Sequence, residues 1–257
     1  TLVPFLVGHL TQRPETGRLL VVDADPHESA ARLLGIAGHT TLGQLRSRYE
    51  RELRTGAGLG DGGAREAFAE RQMGEQALTR CNGFDFLGLG HWDLPGSNCV
   101  PNRVLARALD HLAAGYDTVL MDNEAGIEHI GRYTTPIDLL LLLATPERLA
   151  LDVAAQILAR CREVGREIRQ TRLVFNRLLP LDLAGELRAL AGPVVGAPAA
   201  AFLPESPGLR SLSRASGAVN VLKALPVVDV WRLELTQALP RLLARPSHEV
   251  TRAACCA

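Results

Sequence analysis

Cysteines are few, net charge is absent, and no long apolar segment occurs in the sequence. Its five cysteines are odd in number and irregularly spaced, which argues against the disulfide framework of a secreted protein and favours a reducing, cytoplasmic environment. Lys+Arg and Asp+Glu balance at 28 each, so no overall positive charge attracts nucleic acid or anionic lipid. No apolar run approaches the roughly 20 residues of a transmembrane helix, and no basic segment with a cleavage site indicates a signal peptide.

Short apolar runs alternate with helical patterns along the chain. The apolar runs lie at 19–22, 84–89, 118–121, 139–144 and 173–175, and the helical patterns lie at 26–34, 100–114, 146–164 and 183–191. Apolar runs without polar alternation are typical of strands buried on both faces, as in a parallel sheet. The alternation predicts a doubly wound α/β fold with right-handed crossovers. We predict one α/β domain over residues 1–246, ending in a helix over 229–244, and a mobile tail over 247–257.

Polar residues follow three of the predicted strands, directly after each strand ends. These residues are Asp23 and Asp25, then Asp122, Asn123 and Glu124, then Asn176 and Arg177. In doubly wound folds, ligands bind beyond the carboxyl ends of the parallel strands. The three groups are therefore expected to meet at one edge of the sheet and to form a single polar site.

The carboxylates at these strand ends allow more than one interpretation. Asp23 and Asp25 are two residues apart, so together they could orient water, a metal ion or a magnesium-bound phosphate. Alternatively, Asp25 could be a helix N-cap, because Pro26 would then occupy the first helical position. Asp122 ends a hydrophobic strand, which is the Walker B pattern of a magnesium-holding carboxylate. Gly126 would let the segment that follows approach a phosphate closely.

Three segments together resemble the MinD/ParA superfamily of P-loop ATPases. They read VVDADP at 21–26, YDTVLMDNEAGIEHIGRYTT at 116–135 and LVFNRL at 173–178. The DNEAG sequence at 122–126 is similar to the CooC-type maturation ATPases of carbon monoxide dehydrogenase. The resemblance covers nearly the whole chain. It implies a P-loop NTPase-like fold, binding of ATP with Mg²⁺, ATP hydrolysis, and a homodimer whose switching by ATP and ADP delivers metal to a client enzyme.

The resemblance also implies roles for the residues on the phosphate side. Asp25 resembles the switch I carboxylate that positions the attacking water, and Asp23 lies beside it at the strand end. Asp122 resembles the Walker B residue. The residues that resemble the switch II segment, which senses the γ-phosphate, are Asn123, Glu124 and Gly126.

A second set of residues resembles the segments that border the adenine base. Asn176 and Arg177 match an Asn-Arg pair near the base, although Asn176 could instead be a turn residue that closes a strand. Pro204 and Glu205 match a Pro-x-Asp segment that also lies near the base. Ser206 stands where that segment usually has an acid.

The glycine-rich phosphate loop of this superfamily does not occur in the sequence. The GAGLGDGG segment at 56–63 is not followed by Gly-Lys-Ser/Thr, so it is interpreted as a flexible linker. Residues 1–10 resemble the helix that follows a phosphate loop, with Thr1 as the last residue of that loop. We therefore expect about a dozen residues, a strand and the loop, to precede Thr1 in the native protein.

One cysteine is a candidate metal ligand. The segment around Cys99 resembles a Cys-x-Cys motif with which the maturation ATPases form a four-thiolate site across a dimer, but Ser97 replaces the first cysteine. Four thiolates suit Zn²⁺ or Ni²⁺, whereas two leave the coordination shell incomplete. A packing role for Cys99 is the alternative.

The leading hypothesis is an ATP-driven metallochaperone for a nickel enzyme. The alternative is a ParA/MinD-like positioning ATPase that acts on DNA, a membrane or a protein partner. The mixed charges of the helix over 229–244 do not favour lipid, and the balanced composition argues against nucleic acid.

Overall fold

One largely parallel sheet lies at the centre of the fold. The computed structural model describes residues 2–54, 74–91, 109–123, 136–182, 184–214, 217–227, 229–244 and 252–256. The strands within these residues are β1 (Leu19–Asp23), β2 (Thr79–Cys81), β3 (Phe84–Gly88), β4 (Thr118–Asn123), β5 (Ile137–Ala144), β6 (Ile168–Leu178), β7 (Ala199–Pro204) and β8 (Arg252–Cys256). They form a sheet in the order β2-β3-β1-β4-β8-β5-β6-β7, in which only the β2–β3 pair is antiparallel.

Helices cover both faces of this sheet. The α-helices whose two ends both lie in the described residues include α1 (Leu2–Leu10), α2 (Ser29–Leu34), α3 (Leu42–Arg54), α4 (Arg148–Glu163), α5 (Ala184–Leu190), α6 (Pro207–Ser213), α7 (Val221–Ala224) and α8 (Val230–Leu242). None of them has the length and apolar character that crossing a membrane requires. The predicted α/β fold class, with a mostly parallel sheet flanked by helices, is confirmed.

The apolar runs become central strands because both of their faces are covered. Every residue of β1 is buried, and Leu20 and Leu140 have no exposed surface. Burial of a leucine side chain contributes about 1.5–3 kcal/mol relative to leaving it exposed. On one face, α1 and α8 pack together through Phe5 and Trp231, whose ring centroids are 5.0 Å apart in an edge-to-face arrangement.

Several elements differ from the sequence prediction. The helix expected over 26–34 begins at Ser29, because the backbone first makes a turn in which the Glu28 N–H donates to the Asp25 carbonyl at 3.0 Å. The short β2, the alanine-rich β7 and α3 were not predicted. Alanine has low strand propensity, so β7 carries little local strand signal.

The chain end also differs from the expected mobile tail. Arg252–Cys256 form β8, which pairs in parallel with β4 on one side and β5 on the other. Pairing on both sides satisfies the backbone N–H and C=O groups that a free tail would leave to water. The rest of the predicted tail, residues 247–251 and 257, lies outside the described residues.

Candidate functional site

Two groups of polar residues lie along the carboxyl edge of the sheet. Asp23, Asp25 and Asp122 form the first, which we call the acidic cluster. It arises because β1 and β4 are parallel neighbours with Asp23 opposite Asp122 in the register. The Ala24 N–H donates to the Asp122 carbonyl at 2.9 Å, so the two strand ends remain joined up to the first residue beyond β1.

Asp23 is the buried member of the acidic cluster. It has no exposed surface, and its carboxylate accepts hydrogen bonds from the Asp25 N–H at 3.1 Å and the Ala31 N–H at 3.0 Å. The pKa of Asp23 is raised from 3.8 to about 7, chiefly by burial and in smaller part by the nearby Asp122 carboxylate. Asp23 therefore connects the end of β1 to the turn at Asp25 and to the first turn of α2.

Asp25 and Asp122 remain partly accessible. The Asp25 carboxylate accepts a hydrogen bond from the His27 N–H at 2.8 Å, and the N-cap position of α2 belongs to Glu28. Asp25 thus caps a local turn rather than the helix. Burial raises the pKa of Asp122 above its usual range, and the charge of Asp25 contributes in the same direction.

A partly buried Glu–His pair lies beside the acidic cluster. The Glu28 Oε1 and His39 Nε2 atoms are 2.5 Å apart, and the His39 side chain is 9% exposed. The pair covers Gly88, where an added Cβ would lie 3.1 Å from His39 Nε2, and Gly88 is the register partner of Asp23. No motif in the sequence predicts this pair, because it consists of one Glu and one His that are 11 positions apart.

The second group lies at the ends of the neighbouring strands β6 and β7. We call Asn176, Arg177, Pro204, Glu205 and Ser206 the β6–β7 cluster. β6 and β7 are parallel neighbours, with Leu178 opposite Pro204 in the register. The structure therefore brings together the two segments that the sequence suggested would border one ligand.

Asn176 and Arg177 have different environments within this cluster. The Trp231 indole N–H donates to Asn176 Oδ1 at 2.9 Å, a contact that no pattern in the sequence predicts. Arg177 has a left-handed backbone with φ of 61°, and its guanidinium lies 3.5 Å from Glu205. Glu205 also forms an ion pair with Arg210, and the hydrogen bond from Arg210 lowers the pKa of Glu205.

Ser206, which replaces an expected acid, contacts an acid from another element. Its hydroxyl donates to Asp229 Oδ2 at 2.6 Å and accepts from the Leu209 N–H at 3.0 Å as the N-cap of α6. Asp229 is in turn the N-cap of α8. The N-terminus of α8 is thus hydrogen-bonded to both strands of the cluster. Trp231 bonds Asn176 on β6, and Asp229 bonds Ser206, which follows β7.

Two open clefts adjoin the β6–β7 cluster. One has a volume of about 430 Å³ and is lined by Thr145, Glu147, Arg177 and Glu205 among others. The other, of about 690 Å³, is lined by Leu178, Pro204, Glu205 and Arg210 among others. Volumes of this size are in the range of small-molecule sites, and Glu205 lines both clefts.

Comparison with known proteins identifies the family. No family model matches the chain. The carbon monoxide dehydrogenase accessory protein CooC of Rhodospirillum rubrum is 31% identical over 196 residues, which cover 71% of this chain and 72% of that protein. The chain belongs to the MinD/ParA-type family of P-loop ATPases. An uncharacterized ATP-binding protein of Methanocaldococcus jannaschii is 27% identical over 167 residues, 65% of each protein, so the chain spans about two thirds of the length of these relatives.

Solved structures show the same fold for this P-loop ATPase family member. A ParA family ATPase from Chlorobium tepidum TLS superposes with a TM-score of 0.64 at 19% identity, covering 93% of this chain and 91% of that one. The MinD cell division protein of Aquifex aeolicus superposes with a TM-score of 0.61 at 15% identity, covering 96% and 93%. At such identities the likeness concerns the fold alone.

Several residues to which the resemblance assigns roles lie outside the described residues. These are Thr1, Glu124, Gly126 and Cys99 with its neighbour Ser97. Within the part of the chain that is described, no group of three or more His, Cys, Asp or Glu side chains could hold a metal ion by itself. Asn123, at the end of β4, is described and buried.

Proposed function

We propose that this protein binds ATP with Mg²⁺ along the carboxyl edge of the sheet, hydrolyses it, and uses the hydrolysis to drive maturation of a metalloenzyme. The observation that carries the proposal is the acidic cluster, in which the fully buried Asp23 fixes the turn that presents Asp25 beside Asp122. The family membership and the clefts at the β6–β7 cluster support the same assignment.

The carboxylates of the acidic cluster fit a magnesium-bound phosphate. Mg²⁺ is usually held by one or two carboxylates together with substrate phosphates rather than by a complete protein cage. Asp122 is partly accessible, and burial disfavours its ionised form. A cation bound nearby would stabilise that ionised form. Bound Mg²⁺ neutralises negative charge that develops on the phosphates during transfer.

We assign to Asp25 the role of positioning the attacking water. Its partly accessible carboxylate accepts one backbone N–H, that of His27, which leaves further lone pairs for a water molecule. Asp23 is a positioning residue, because it is fully buried and bonds the Asp25 N–H. We assign Asn123, Glu124 and Gly126 to sensing the γ-phosphate, and Thr1 to the phosphate end of the site.

The β6–β7 cluster is proposed to bind the base. Asn176, Arg177, Pro204 and Glu205 lie at adjacent strand ends beside the two clefts. Residues from the ends of both strands can therefore contact one base. The base and the phosphates would bind along the same sheet edge, in agreement with the general position of ligands in doubly wound folds.

Substitution of Asp25 in the full-length protein tests the ATPase assignment. We expect Asp25→Asn to lower the rate of ATP hydrolysis by about 100-fold or more, the usual effect of removing a group that assists proton transfer, while ATP binding is retained. The matched control is Asp152→Asn, because Asp152 lies on α4 in an exposed ion pair with Arg148. Equal hydrolysis by the Asp25 variant and wild type would rule out the assignment.

The proposal also includes delivery of a metal ion to a client enzyme. The named relative is an accessory protein of carbon monoxide dehydrogenase, and this supports nickel delivery by an ATP-dependent homodimer with Cys99 as a ligand. We expect Cys99→Ser to abolish stoichiometric Ni²⁺ or Zn²⁺ binding by the ATP-bound dimer, whereas Cys81→Ser, which changes a partly buried cysteine at the sheet edge, leaves it intact. Metal binding unaffected by Cys99→Ser, or ATP-dependent binding to DNA or vesicles instead, would favour a positioning ATPase.

A further inference from the structure

The buried tryptophan at the start of α8 determines how Asn176 can contact a ligand. Trp231 Nε1 lies 2.9 Å from the Asn176 side-chain amide. An indole N–H can only donate a hydrogen bond. The atom that it contacts must therefore be the amide oxygen, so the orientation of the amide follows from chemistry rather than from an arbitrary choice between oxygen and nitrogen.

Trp231 is held firmly enough to impose this orientation. Its side chain is 2% exposed, and its ring packs edge-to-face against Phe5 on α1. The helix turn that carries it is anchored twice, because Asp229 caps α8 and the Arg232 guanidinium donates to the Leu222 carbonyl at 3.1 Å and the Leu225 carbonyl at 2.5 Å. Rotation of the Asn176 amide would break its bond to Trp231 and place an N–H group against another N–H group.

We propose that Trp231 is a positioning residue for base specificity, which acts by holding Asn176 so that the Nδ2 donor is the part of the amide left to face the base. This proposal rests on the proposed function, in which the β6–β7 cluster binds the base. Asn176 is partly accessible at the end of β6, next to Arg177, which lines the smaller cleft. An outward N–H donor requires an acceptor on the ligand, and the ring nitrogen N7 of a purine is such an acceptor.

A pair of ligands that differ at one atom tests the proposal in the full-length protein. In 7-deaza-ATP a C–H group replaces N7, so the acceptor is lost while shape and charge are retained. We expect wild-type protein to bind ATP about tenfold more tightly than 7-deaza-ATP, since the Asn176 donor is left without a partner when a base that lacks N7 covers it. We expect Trp231→Phe, which keeps an aromatic ring against Phe5 but lacks the indole N–H, to reduce this preference to about twofold or less.

Two further variants separate positioning from general stability. Asn176→Asp can still accept the Trp231 N–H but offers no N–H donor, so we expect it to lose the preference for ATP with Trp231 in place. Phe5→Leu removes one packing contact of Trp231 but keeps the indole N–H and both anchors of the helix turn, so we expect the tenfold preference to remain. Dissociation constants from equilibrium dialysis give each ratio.

The possible outcomes distinguish this proposal from the proposed function. A Trp231→Phe protein that folds and keeps the tenfold preference for ATP overturns the positioning role. Wild-type protein that binds ATP and 7-deaza-ATP equally overturns the donor assignment but leaves the ATPase proposal intact. Wild-type protein that binds neither nucleotide contradicts the proposed function, and the positioning role with it.

Discussion

The acidic cluster and the β6–β7 cluster share one sheet edge but differ in how their charges are compensated. In the acidic cluster, burial and neighbouring carboxylates raise the pKa values of both Asp23 and Asp122. In the β6–β7 cluster, Glu205 lies between Arg177 and Arg210, and its pKa is lowered. The first cluster therefore holds charge that the fold disfavours, whereas the second is compensated within the fold.

This difference indicates what each cluster gains from a ligand. A cation at the acidic cluster would relieve electrostatic cost that is already present in the free protein. At the β6–β7 cluster, the ion pairs of Glu205 and the orientation of the Asn176 amide are already established without a ligand. Recognition of a base there would therefore depend on shape and on a directed hydrogen bond. The phosphate side of the proposed site is thus expected to depend strongly on metal and pH, and the base side only weakly.

The largest expected effect follows from removing the buried carboxylate. We expect Asp23→Ala to lower the free energy of unfolding by about 2–4 kcal/mol at pH 5, because the Asp25 and Ala31 N–H groups lose their acceptor. The pKa of Asp23 is raised to about 7 in the folded state, so its contribution to stability falls as pH rises from about 4 to about 7. The loss caused by the substitution should therefore be smaller at pH 8 than at pH 5.

Urea unfolding of wild type and Asp23→Ala at pH 5 and pH 8 measures how much the loss of stability decreases with pH. A rise in pKa from 3.8 to about 7 corresponds to about 4 kcal/mol over the whole pH window, and the part of that window between pH 5 and pH 7 to about 3 kcal/mol. As a control, Asp152→Ala removes an exposed carboxylate from an i,i+4 ion pair and should cost less than about 1 kcal/mol at either pH. If the loss of unfolding free energy for Asp23→Ala instead grows with pH, the pKa of Asp23 is not raised in the folded state.

The fold could be predicted from sequence further than the site could. Apolar runs such as the one that became β1 specify strands buried on both faces, and this local pattern survives whatever surrounds it. β7 and β8 have no such pattern. Ala199–Pro204 and Arg252–Cys256 become strands because neighbouring backbones offer hydrogen bonds, which is a property of the assembled sheet rather than of either segment.

For the site, the sequence located strand ends but not the residues that hold them. Asp23 and Asp122 could be predicted to meet because parallel strands end at one edge. The partners Trp231 and His39 could not be predicted. Trp231 is 55 positions from Asn176, and His39 contacts Glu28 from the far side of α2, with Glu28 in a left-handed backbone conformation. Such contacts depend on tertiary packing and on single φ values, which leave no periodic trace in a sequence.

An intermediate effect concerns backbone strain, which occurs once beside the acidic cluster and once within the β6–β7 cluster. Glu28 with φ of 54° and Arg177 with φ of 61° are non-glycine residues in the left-handed region, which disfavours side chains with a Cβ by about 1–2 kcal/mol. We expect Arg177→Gly to be more stable than Arg177→Ala by roughly 1 kcal/mol, since both variants lose the ion pair with Glu205 but only glycine relieves the strain. Equal unfolding midpoints in urea would show that Arg177 stores no such strain.

The smallest expected effect lies in the compensated charges of the β6–β7 cluster. Arg210 is 53% exposed, and exposed ion pairs contribute little because water and salt screen them. We expect Arg210→Ala to lower the melting temperature by no more than about 2 °C at pH 7, with an even smaller change in 0.5 M salt, where the Debye length is on the order of a few ångströms. The hydrogen bond from Arg210 is the main cause of the lowered pKa of Glu205. The pKa of Glu205 should therefore rise toward its ordinary value in the variant, which NMR titration of its carboxyl carbon can measure.

A large drop in melting temperature that persists in high salt would mean that Arg210 stabilises the cluster by packing. The two clusters would then not differ in how their charges are compensated.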